Sequence, residues 1–173
     1  LSQQREFLNK TDKEYKDLQD RFDTGKVTQT EIETKAKTAS ASNPEGYAYL
    51  KMLAKLGNLD SATYSKTLKE LSNNPLAARD FAQTAKESKF SNLPGKEIVE
   101  ITTGVSENGT AVHTDLDLGN LNPAKKEMAK FVQSDEKIRA KLTQEQFRRM
   151  TGLLGGPNTA EAKSFIKDVG ETR

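Results

Sequence analysis

The stretch GKEIVEITTGVSENGTAVHTDLDLG, from Gly95 to Gly119, constrains the fold of this chain more than any other. It sets Glu107-Asn108-Gly109-Thr110 between two runs rich in β-branched residues. Asn-Gly suits a two-residue type I′ hairpin loop, because both loop positions need positive φ. Centring the loop there fixes a register. Val105 faces Val112, Thr103 faces Thr114, Ile101 faces Leu116 and Val99 faces Leu118, which makes one coherent face. The opposite face pairs Gly104 with His113, Thr102 with Asp115 and Glu100 with Asp117. The expected element is a two-stranded antiparallel β-hairpin over about residues 97–118.

The remainder of the chain has helical periodicity. Residues 2–22 carry Leu8, Tyr15, Leu18 and Phe22 at heptad-like spacing, a stripe wide enough for one neighbour. Gly25 stops that helix, and Thr28 with Glu31 three residues later reads as the capping box of the next. That second helix ends in Ser40-Ala41-Ser42-Asn43-Pro44, the best linker in the sequence. From Pro44 to Leu56 apolar residues cover most of the helical circumference, as in a helix buried at the centre of a domain. Short amphipathic segments follow on both sides of the hairpin, punctuated by Asn73-Asn74-Pro75, Asn122-Pro123, Ser134 and Gly155-Gly156-Pro157. Thr143 and Gln146 form a second capping box. Leu56-Gly57-Asn58-Leu59-Asp60 and Leu118-Gly119-Asn120-Leu121-Asn122 nearly coincide, each opening a capped helix.

The expected fold is therefore mainly α, a bundle of short amphipathic helices with one inserted β-hairpin. Residues 1–42 form a helical hairpin, possible as an appendage, and residues 43–173 the main domain. Apolar residues make up 34% of the chain and there is no tryptophan, so the core is thin and built from alanine and leucine. The first residue is Leu1, which reads as a piece of a longer protein. The chain has no cysteine, which excludes disulfides, thiol catalysis and cysteine-ligated zinc. No apolar run approaches the roughly 20 residues that span a bilayer. A net charge of +2 favours no particular partner.

Residues 20–31, DRFDTGKVTQTE, resemble part of a calcium-binding EF-hand loop. Asp20 stands at loop position 1, Gly25 at 6 and Glu31 at 12, which makes Asp20 and Glu31 weak metal candidates. Phe22 and Thr24 stand where ligating residues are usual. The same residues are similar to the helical hairpin of short C-terminal domains of bacterial proteins, where Gly-Lys-Val-Thr-x-x-Glu turns one helix into the next. A capped helix–turn–helix is the reading taken.

On the polar face of the hairpin, His113, Asp115 and Asp117 alternate, and Glu100 opposes Asp117. Like charges facing each other destabilise a sheet, so a cation or a basic partner is expected to compensate. Glu100, His113, Asp115 and Asp117 are the candidate partner-binding residues. The alternative is a metal-dependent hydrolase or toxin-like domain using the same acidic face. A third reading is a helical nucleic-acid binder, from the basic clusters Lys125, Lys126, Lys130 and Arg139, Lys141, Arg148, Arg149. Glu127, Asp135 and Glu136 interrupt those clusters, which weighs against nucleic acid. There is no phosphate loop and no nucleophile motif, and no cofactor is expected. The reading taken is a non-enzymatic protein–protein interaction module, a fragment of a secreted or delivered bacterial virulence protein or of a phage structural protein.

Overall fold

The computed structural model describes residues 2–88, 94–112 and 118–172. Ten helices lie among them, and no strand. The first two are α1 (Ser2–Asp23) and α2 (Gln29–Thr38), joined by the turn at Gly25. Gly25 takes φ +76, the left-handed conformation that ends a helix cheaply only in a residue without Cβ. Both helices pack on α3 (Pro44–Lys55), in which Tyr47, Tyr49, Leu50, Met52 and Leu53 are all buried. The all-round apolar pattern of this segment thus marks a central helix. Next come α4 (Ser61–Glu70) and α5 (Pro75–Lys86).

The start of each of these helices is chemically specified. Thr28, Asn43, Asp60 and Asn74 each accept a hydrogen bond from the backbone N–H three residues on. Such caps satisfy donors that a helix leaves orphaned at its start, each stabilising by about 1 kcal/mol. Aromatic rings then link the elements. Phe7 of α1 stacks on Tyr47 at 5.9 Å, Tyr47 lies 6.1 Å from Phe81 of α5, and Phe81 stacks on Tyr64 of α4 at 5.7 Å.

Helix α5 is the seam of the molecule. It packs on α3 on one side and on α7 (Leu118–Ser134) on the other. Around α7 stand α6 (Pro94–Thr103), α8 (Glu136–Arg139) and α9 (Gln144–Leu153), with α10 (Ala160–Thr172) closing against α8 and α9. Lys86 at the end of α5 pairs with Asp135, whose other oxygen caps α8 through the Ile138 N–H at 3.1 Å. One apolar cluster runs from Leu18 and Ile32 through Leu53 and Phe81 to Met128, Phe165 and Val169.

The β-hairpin expected over about residues 97–118 is not there, and the fold class needs that correction. Residues 94–103 are helix α6 and residues 118–134 begin helix α7. The reason lies in the ambiguity of a short apolar run. Val99, Ile101 and Thr103 alternate as in a strand, but Ile98, Ile101 and Thr102 also fit a helical face. Pro94 opens the segment at a position where a missing N–H costs nothing. Burial then decides. Glu97 through Thr103 are all buried, so no solvent face exists for strand alternation to supply. The Thr102 hydroxyl donates to the Ile98 carbonyl, and that of Thr103 donates to Val99 at 2.7 Å. These bonds let polar residues enter a buried helix. The modest helical cost of β-branched residues is outweighed by packing.

What remains of the hairpin is its turn. A single antiparallel bridge joins Val105 to Ala111, not Val105 to Val112. Gly109 N–H donates to the Ser106 carbonyl at 3.0 Å, and Ser106 N–H to the Thr110 carbonyl at 2.8 Å. Gly109 takes φ +81. This is the pattern of a type I turn closed by a left-handed glycine, the usual longer hairpin loop, rather than a two-residue I′ loop.

Two smaller expectations change with it. Asn122 does not open a helix, because α7 starts at Leu118 and Pro123 lies inside it. The near-repeat also takes two forms. Leu56-Gly57 ends α3, with Gly57 at φ +81, whereas Leu118-Gly119 begins α7.

Candidate functional site: a basic cleft beneath the turn

The turn over residues 104–112 overhangs a cleft of about 400 Å³. Its walls come from four places. The end of α6 contributes Thr102 and Thr103, the turn Val105, Ala111 and Val112, α7 Asn122 and Lys125, and α9 Arg149, Gly152 and Leu153.

Each wall is held by an identifiable bond. Helix α6 stops at Gly104, which takes φ +79 and donates its N–H to the Glu100 carbonyl at 2.7 Å. The far side of the turn returns through Val112, whose N–H reaches the Gly104 carbonyl at 3.0 Å. Gln146 then ties the turn to α9. Its Oε1 accepts from the Thr143 N–H at 3.2 Å, completing the capping box. Its Nε2 donates to the Val105 carbonyl at 3.3 Å. One buried side chain therefore caps α9 and anchors the base of the turn.

Among the described residues, the charges lining the cleft are of one sign. Lys125 is only 5% exposed yet lines the open space. It stands three residues before Met128 and four before Ala129, on the buried side of α7. No ion pair to Lys125 is found among the described residues. Burial, and then the neighbouring Arg149, hold its ammonium below the ordinary lysine range. Arg149 is partly engaged: its Nε donates to Glu145 at 3.0 Å and its Nη1 to the Thr103 carbonyl at 3.4 Å. Glu145 also takes Arg148 through both its oxygens, at 3.1 and 2.6 Å. Those hydrogen bonds, from Arg148 first and Arg149 second, pull the Glu145 carboxyl down to about 2. Glu145 thus remains an anion at any ordinary pH and offsets only part of the local positive charge. Among the described residues, no carboxylate, imidazole or aromatic ring lines the cleft itself.

Of the residues singled out in the sequence, Glu100, Asp20 and Glu31 fall elsewhere. Glu100 lies on α6, 8% exposed, with its Oε1 3.9 Å from Lys96 one helical turn away. His113, Asp115 and Asp117 lie outside the described residues. Asp20 is exposed on α1, where its backbone carbonyl accepts from the Thr24 N–H at 3.0 Å. Glu31 is exposed in the first turn of α2. Only five residues separate the two helices, and no cluster of three His, Cys, Asp or Glu side chains suited to a metal occurs among the described residues. Of the basic residues noted in the sequence, the fold brings together one from each cluster, Lys125 and Arg149. The signal that marks Lys125 is its place on a helical face with Met128, Ala129 and Val132, where a charge is costly.

The chain matches no protein-family model, no curated protein and no solved structure. No described helix is long and apolar enough to cross a membrane.

Proposed function

We propose that this chain is a non-enzymatic protein–protein interaction module, and that it receives a segment of its partner in the cleft beneath the 104–112 turn. The supporting observation is the lining of that cleft. Val105, Ala111, Val112 and Leu153 offer apolar contact, while Thr102, Thr103, Asn122, Lys125 and Arg149 offer polar groups. An apolar pocket with a few convergent polar groups is the usual form of a recognition site. The lining holds cations and hydroxyls that can grip a group. Among the described residues, the lining holds no carboxylate or imidazole to move a proton.

Gly152 provides the test. A Cβ built there meets nothing within 4 Å and Gly152 lies within helix α9, so a side chain is accommodated at this edge of the cleft without disturbing the fold. Gly152→Leu should fill the cleft and, by improving helix propensity, leave the chain at least as stable. A random peptide library displayed on phage is selected on the wild-type chain and re-tested on Gly152→Leu. Peptides that bind the wild type and fail on the variant are expected. Peptides that bind both equally, or no enrichment at all, would refute a recognition role for the cleft.

A further inference from the structure

We infer that the group this cleft is built to receive is a single carboxylate, carried by an acidic side chain of a partner peptide and seated between Lys125 and Arg149. The inference rests on the interaction-module reading and names the chemistry of its anchor.

Removing an ammonium from water is expensive unless a counter-charge replaces the lost hydration. Lys125 is nearly fully buried, and among the described residues no carboxylate compensates it. A methionine at the same place would serve packing on α7 equally well. Among the described residues, the charge finds no counter-charge, and an occupant of the cleft beside it would supply one.

The arrangement also sets the size of the occupant's charge. Lys125 contributes one cation. Arg149 contributes part of another, because Glu145 already holds its Nε edge and the Thr103 carbonyl takes one Nη1 proton. The remaining guanidinium protons are directed donors, and the lysine supplies up to three more. That set matches a monovalent oxyanion with two oxygens. A nucleic-acid strand asks for a different surface, a basic groove tracking successive phosphates with rings on which bases stack. No ring lines this cleft among the described residues. Val105, Val112 and Leu153 instead fit aliphatic neighbours of an acidic residue.

The test has two arms, both on the full chain. In the first, the library peptides that depend on an open cleft are sequenced and remade with each Asp or Glu changed to Asn or Gln. The expected result is an enriched acidic position whose amide version binds on the order of tenfold to a hundredfold more weakly, with the same loss for Lys125→Met and partial retention for Lys125→Arg. Neutral cleft-dependent peptides, or binding that survives Lys125→Met, would overturn the carboxylate inference and leave the module reading standing. The second arm does not depend on the library. Acetyl-Val-Asp-Val-amide, its Asn counterpart and inorganic phosphate are titrated at constant ionic strength, following the backbone amides of Gly104, Val112 and Gly152 by NMR. Shifts with the aspartyl peptide alone, absent in Lys125→Met, are expected. Equal shifts with the Asn peptide, stronger shifts with phosphate, or none with any probe would overturn the inference. If the aspartyl peptide binds through Lys125 and the library yields nothing that Gly152→Leu blocks, the carboxylate seat stands and the partner-segment reading fails.

Discussion

Lys125 is the residue at which the energetic argument is sharpest. It occupies a buried position and lines the cleft together with Arg149, whose Nε donates to Glu145. The Lys125 pKa in the folded chain is lowered, so the unfolded chain binds this proton more readily. The resulting penalty on folding is present in full below the folded pKa, and it disappears as pH rises toward the unfolded lysine value near 10.4. Ligand binding has the opposite dependence. A carboxylate seated beside the ammonium favours the charged form. Affinity for an acidic peptide is therefore expected to fall as pH rises through the lysine's lowered pKa, before exposed lysines titrate. An isotherm series from neutral to alkaline pH checks this. Affinity that stays flat until the ordinary lysine range would separate binding from Lys125.

At the scale of elements, the turn depends on α9 through Gln146. Because a glutamate completes a capping box as well as a glutamine does, Gln146→Glu should keep the α9 cap. It replaces the Nε2 donor by an oxygen facing the Val105 carbonyl. The expected result is a loss of about 1–3 kcal/mol, with faster amide exchange at Val105 and Val112 than at the start of α9. A second junction is tighter. At Gly46 a Cβ would overlap the carbonyl oxygen of Ser40, a backbone atom that cannot swing away. Gly46→Ala should cost about 3 kcal/mol in a denaturant titration, a large effect for one methyl group.

These elements also show what the sequence made legible. Thr28, Asp60 and the Thr143–Gln146 box mark helix starts because capping is a local interaction, readable from three or four residues. The central burial of α3 follows from its unbroken apolar circumference. Residues 97–103 defeated the same approach, since strand and helix periods fit them equally and only the packing around α6 distinguishes them. The two Thr back-bonds to carbonyls one turn earlier are the local trace of that decision. The cleft was legible only in pieces. Lys125 and Arg149 stand 24 residues apart in numbering, on helices whose contact no local pattern encodes. Acids obscured them further: Glu127, Asp135 and Glu136 interrupt the basic clusters, and Glu145, which no sequence reading singled out, is what holds Arg149.

For the whole molecule, one apolar cluster contains residues of α1 and α2 together with those of α7 and α10. Leu18 is 1% exposed, as buried as Val132 far along the chain. We therefore expect a single unfolding transition in which residues 1–42 melt with the rest. Leu18→Ala should lower its midpoint by an amount that reflects about 2–5 kcal/mol, and by the same transition as Val132→Ala. An early separate transition, affected by Leu18→Ala alone, would mark the first two helices as an independent unit.

The claim at the centre of this account is that Lys125, a buried lysine with no ion pair among the described residues, is kept for the sake of binding. The most direct test is one variant with two readings, thermal denaturation and acidic-peptide binding of Lys125→Met. Relief of the desolvation cost should stabilise the chain by about 1 kcal/mol, raising its midpoint by about 2–4 °C, while peptide binding is lost. A lower midpoint would contradict the account, because Lys125 would then be part of what holds the helices together rather than what holds a partner.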